Sequence, residues 1–168
     1  MASIEPPAAR ALLAVNVLIT LHDQQHVHHH VAARWFEQHA RHGWASCPLT
    51  QNGCARIMTQ PGYPNAAPLA EVLPMLARSC AHASHQFWPD DISLLDAGRM
   101  HHGRMHGHRQ LTDLYLLALA VAYQGRFVTF DARIPLSRVE AWRGSRGSGS
   151  SLRSSNRTCG FPASGSPT

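Results

Sequence analysis

An α/β fold with a mostly parallel central sheet is predicted by three features of this 168-residue sequence. Apolar runs of strand length occur at residues 12–19, 44–47, 86–88 and 126–130, segments of helical period lie between them, and Gly, Pro or His-rich breaks separate the two kinds. Strands alternating with helices are the pattern of crossover connections, and those lead to parallel pairing.

The elements follow in order. Residues 1–10 form a short polar lead with Pro6 and Pro7. Leu12 to Ile19 is a near-continuous apolar run, as a strand buried on both faces requires. Residues 28–42 follow as a helix, with Val31, Arg34, Trp35 and Gln38 at helical spacing, and Gly43 is placed to end it. Trp44 to Cys47 is a second strand. Pro48 suits a helix start, so residues 49–59 continue as a helix until Pro61. Residues 68–82 carry Leu69, Val72, Leu73, Leu76 and Cys80 on one face, but Pro74 predicts a kink or a later start. Gln86 to Trp88 is a third strand, closed by Pro89-Asp90-Asp91. A short helix is expected over 92–102 and a Gly- and His-rich loop over 103–110. Thr112 is positioned to cap a helix from Asp113 to Tyr123, ended by Gly125, and Arg126 to Phe130 is the last clear strand.

A composition of 44% hydrophobic residues fits one globular domain plus a tail. No apolar run is long enough to span a bilayer, and Ala11 to Leu21 lacks a cleavage pattern, so a cytoplasmic chain with no membrane contact is expected. The four cysteines form no CxxC pair; Cys47, Cys54 and Cys80 read as small core residues. All fifteen basic residues are arginine. Eleven precede residue 143 and meet ten acidic residues, a net of +1; the last four supply the rest of the +5. Residues 143–168 hold Ser, Gly, Arg and Pro with few large apolar residues and are expected to be disordered. A basic total of this origin is weak support for nucleic-acid binding.

In an open α/β sheet, ligands gather beyond the carboxyl ends of the strands. That rule brings together Ala14 to Asn16, Gln51 near a helix start, Thr112-Asp113 at another, and Asp131 after Phe-Val-Thr-Phe. Asn16 is read as sharing a strand face with Ala14, two positions away.

These segments resemble a known family. Leu12-Leu13-Ala14-Val15-Asn16-Val17-Leu18-Ile19, Pro48-Leu49-Thr50-Gln51-Asn52-Gly53, Phe87-Trp88-Pro89-Asp90-Asp91, Gly107-His108-Arg109-Gln110-Leu111-Thr112-Asp113 and Thr129-Phe130-Asp131 look, in order and spacing, like VapC-type PIN toxins. The resemblance spans roughly residues 12–135 and implies a PIN-like three-layer α/β/α domain at 11–142. It further implies a metal-dependent endoribonuclease of a type II toxin–antitoxin pair. Mg²⁺ or Mn²⁺ would be the cofactor, RNA the substrate, an antitoxin the partner and a homodimer the assembly. Hard divalent cations take oxygen ligands, and a bound ion activates water and stabilises charge on the scissile phosphate.

Carried over residue by residue, Asp113 and Asp131 match metal-site aspartates, and Asn16 matches a polar site residue. Ala14 and Gln51 stand where the family has an aspartate and a glutamate. Two of four carboxylates are therefore missing, which implies impaired catalysis or, alternatively, a catalytically dead PIN fold that only binds antitoxin or RNA. Arg104 and Arg109 are candidates for RNA phosphate contacts. After Ile134-Pro135 the family supplies one more apolar strand, whereas this sequence passes into Ser, Gly and Arg, which resembles an altered or truncated ending. His26, His28, His29 and His30 have no carboxylate or cysteine at zinc-like spacing and read as a solvated helix start.

Overall fold

Four strands, β1 (Ala11–Leu13), β2 (Trp44–Ser46), β3 (His85–Phe87) and β4 (Arg126–Val128), pair in the order β3-β2-β1-β4. This is seen in a computed structural model that describes residues 9–100 and 111–130. Every pairing among them is parallel, with Leu12 opposite Ala45 on one side and Phe127 on the other. The helices are α1 (Val15–His22), α2 (His29–His39, followed by a 3-10 turn at Ala40–His42), α3 (Pro48–Met58), α4 (Leu69–Cys80) and α5 (Leu111–Ala122).

The path β1 to β2 to β3 steps in one direction, and the chain then returns past β1 to β4. Right-handed crossovers place α1 to α4 on one face and α5 on the other. Packing agrees: α1 lies on α2 and α3, α3 lies on α4, and α5 lies on β1 and β4. The result is the three-layer α/β/α arrangement. All three residues of β1 are buried, with Leu12 and Leu13 fully enclosed. Each such side chain contributes on the order of 1.5–3 kcal/mol.

Several expectations need correction. The run Leu12 to Ile19 is not one strand: the strand ends at Leu13 and α1 starts at Val15. The Ala14 carbonyl accepts from the Val17 and Leu18 N–H groups at 3.1 and 3.0 Å, which turns the chain into a helix. An apolar run by itself does not separate a buried strand from a buried helix. Helix α4 runs through Pro74 from Leu69. The bond that Pro74 forgoes would reach Ala70, and both residues are exposed, where solvent satisfies the carbonyl. Only Val72 and Leu76 of its predicted face are buried; Leu69 and Leu73 are about half exposed. In α2 the buried residues are Ala32 and Trp35, and Val31 is exposed.

Residues 92–100 form turns rather than a helix. Helix α5 begins at Leu111, so Thr112 lies inside its first turn and does not cap it. At the other end Gln124 takes the left-handed conformation, φ 53°. Gly125 is needed for space: a Cβ there would lie 2.4 Å from the Trp88 ring and 2.8 Å from the Arg10 carbonyl oxygen. The N-terminal lead up to residue 8, the Gly- and His-rich loop at 101–110 and the segment 131–168, with its expected disorder, lie outside the described residues.

Candidate functional site

The strand order reverses between β1 and β4, and the crevice beyond their carboxyl ends is where such sheets bind ligands. Ala14 follows β1 there, and its N–H donates to the Val128 carbonyl at 2.9 Å, which ties the two strand ends together. Asn16 is the second residue of α1, not a strand residue sharing a face with Ala14. Its Nδ2 donates to Thr129 Oγ1 at 3.2 Å, across 113 positions of sequence. Thr129 is buried. Ala14 is the N-cap of α1 in extended conformation and supplies no side-chain cap. A carboxylate at this position would therefore face both the crevice and the positive end of a helix.

Gln51 belongs to a different set of contacts. Its Nε2 donates to Ser46 Oγ at 2.9 Å and lies 3.6 Å from Cys80 Sγ. Ser46 Oγ lies 2.8 Å from His85 Nε2. Burial lowers the His85 pKa, against a raising hydrogen bond to the Cys80 backbone, with the Arg10 charge lowering it further. A neutral His85 that gives its other N–H to that carbonyl leaves Nε2 as an acceptor. Ser46 then donates to His85 and must accept from Gln51. An amide can do this and a carboxylate cannot.

The start of α3 is fixed from three sides. Thr50 Oγ1 accepts from the Cys47 N–H at 2.9 Å, the return arm of a capping box. Asp90 Oδ2 accepts from the Leu49 N–H at 2.9 Å, so a carboxylate from the loop after β3 serves the helix N-terminus. Gly53 admits α1: a Cβ there would lie 2.7 Å from Val15 Cγ2. Nearby, Trp88 stacks on Tyr123 at 4.7 Å and Tyr123 donates to Asp91 at 2.9 Å. The Phe-Trp-Pro-Asp-Asp segment thus joins the start of α3 to the turn after α5. Burial, and then the Asp90 and Cys47 charges, push the Tyr115 hydroxyl up to about 12. Burial pushes the Cys47 and Cys54 thiols up to about 11 and 12, so both stay protonated and are poor nucleophiles or ligands.

Among the predicted site residues, Asn16 and Ala14 meet at the β1–β4 crevice, Gln51 bonds toward β2, β3 and α4, and Asp113 sits half-buried in the first turn of α5. Asp131, Arg104 and Arg109 lie outside the described residues. Among the described residues no cluster of three or more His, Cys, Asp or Glu could hold a metal ion, and no helix is long and apolar enough to cross a membrane. Thr129, Gly53 and Asp90 are the contributors that sequence reasoning left without a role. Gly53, a helix-interior glycine one turn after Pro48-Leu49, carried a readable signal of close packing; Thr129 and Asp90 depend on distant partners.

Comparison with known proteins gives consistent matches. The PIN domain family matches residues 12–141. Ribonuclease VapC44 of Mycobacterium tuberculosis is 48% identical over 130 residues, covering 77% of this chain and 92% of that protein. Ribonuclease VapC39 of the same organism is 42% identical over 125 residues, 74% of this chain and 90% of that one. Among solved structures, VapBC2 from Rickettsia felis bound to a DNA fragment from its promoter superposes with a TM-score of 0.53 at 12% identity, covering 77% of this chain and 92% of that one.

Proposed function

Because the chain belongs to the PIN-domain family of VapC-type ribonucleases, we propose that it is a toxin-family endoribonuclease whose catalytic site has lost part of its charge. The observation that carries this reading is the Asn16–Thr129 bond at the β1–β4 crevice, with Ala14 beside it where the family has an aspartate. In this reading Asp113 and Asp131 are the remaining acidic groups and Asn16 orients what binds between them. Arg104 and Arg109 hold RNA phosphates. The protein acts in the cytoplasm as a homodimer with a cognate antitoxin.

The family's cofactor is Mg²⁺ or Mn²⁺, and the described donors do not fit it. Asp113 is the one carboxylate among the described positions matched to the family's metal site, Ala14 offers no ligand, and the Gln51 amide is engaged by Ser46. A hard cation needs several oxygen ligands, more than these described residues supply. A second reading, an inactive fold that binds antitoxin or RNA, draws on the same two positions. It also draws on a cavity of about 430 Å³ lined by Leu18, Leu21, Phe36 and Trp44, with Glu37 and Arg78 beside them, which suits an apolar segment of an antitoxin.

The test compares the native chain with Ala14→Asp, alone and with Gln51→Glu, in RNA cleavage assays with Mg²⁺, Mn²⁺ or EDTA. The expected result is little or no cleavage by the native chain and metal-dependent cleavage by Ala14→Asp, higher by roughly 10- to 100-fold or more. Vigorous metal-dependent cleavage by the native chain would sink the impairment. Folded variants that stay inert would sink the nuclease reading.

A further inference from the structure

The histidine-rich start of α2 has a structural division of labour. His29 Nδ1 lies 2.9 Å from the Thr20 carbonyl and ties the helix to the end of α1. His26 Nδ1 accepts from the His28 N–H at 3.1 Å, and the two rings lie 5.7 Å apart. The His28 ring is exposed and rests near Phe130, with centroids 6.4 Å apart at 36°. Phe130 is half-buried on the core and follows Thr129, the partner of Asn16. Consecutive residues are about 3.8 Å apart along the chain, less than one nucleotide step. An aromatic surface thus borders the crevice from the α2 side.

We propose that His28 and Phe130 form a stacking platform for an RNA base next to the β1–β4 crevice; this rests on the ribonuclease-family reading above. Single-stranded RNA is held by stacking unpaired bases on aromatic side chains, including histidine, and that contact tolerates any base. Phe130 directly follows Thr129, so such a base would lie one residue along the chain from the Asn16–Thr129 bond. His29 and His26 fix the backbone around His28 through their ring nitrogens.

The experiment uses the full chain in EDTA, so that binding is read without turnover. A short single-stranded RNA with one 2-aminopurine reports stacking by fluorescence quenching, and anisotropy reports affinity. The expected outcome is that His28→Ala weakens binding by roughly 5- to 100-fold and relieves quenching, while His28→Phe keeps both. Phe130→Leu, which retains apolar volume, should also relieve quenching and guards against a misfolded Phe130→Ala. If His28→Phe loses quenching as His28→Ala does, the platform is wrong and the imidazole acts by charge or hydrogen bonding. Quenching unchanged in His28→Ala and Phe130→Leu overturns the platform and leaves the family reading standing. Absence of RNA binding by the native chain and by Ala14→Asp overturns both.

Discussion

The two sides of the sheet's carboxyl edge hold their uncharged residues, Ala14 and Gln51, in different ways. At the β1–β4 side, Ala14 presents only a methyl, while its backbone joins the two strand ends and opens α1. At the β2–β3 side, Gln51 has been absorbed into a chain of donors and acceptors through Ser46 to His85. The first position has no side-chain cap bond and sits on an intact frame. The second is integrated, so changing it disturbs its neighbours. Introducing charge should therefore succeed at position 14 and meet resistance at position 51.

The largest effect is expected where the two sides touch. Gly53→Ala should destabilise the protein by about 1–3 kcal/mol, because Val15 is β-branched and on the first turn of α1, so it cannot move aside cheaply. Urea denaturation measures it; a change below about 0.5 kcal/mol would mean that α1 and α3 are not in the close contact described. The same variant should displace Asn16, and with it the crevice.

A smaller, stabilising effect is expected from Ala14→Asn. An amide at an N-cap lacking any side-chain bond should add about 1 kcal/mol, since Asn caps far better than Ala. A thermal melt that falls instead of rising would show that the crevice has no room for a side chain at this position, and would undercut the Ala14→Asp rescue too.

The subtlest test concerns Gln51→Glu. A carboxylate there accepts the Ser46 O–H hydrogen bond, so the Ser46 oxygen is left to accept from a protonated His85, whose pKa should rise. In the native chain burial depresses the His85 pKa, and that of the half-buried His22 as well. Groups of this sign contribute stability that is complete above the unfolded value of about 6.5 and is lost as pH falls through the lowered folded values. Native stability should thus decline on acidification below about pH 6.5, and Gln51→Glu should flatten that decline. NMR titration of His85 reads the shift directly; an unmoved His85 would disconnect Gln51 from the Ser46 relay.

The amino-acid sequence by itself determined the alternation of strands and helices, the order of the motifs, the family, and the absence of carboxylates at positions 14 and 51. These are local patterns, set by apolar periodicity and by residues a few positions apart. Only the tertiary structure decided where the first apolar run divides, because a buried strand and a buried helix look alike until the Ala14 carbonyl turns back on Val17 and Leu18. It also decided that Thr129 is the partner of Asn16, that Asp90 serves the start of α3, and that Gly125 makes room for Trp88. Each of these joins residues more than 35 positions apart. Side-chain pairing at that separation depends on strand order and helix placement, which no short window of sequence contains.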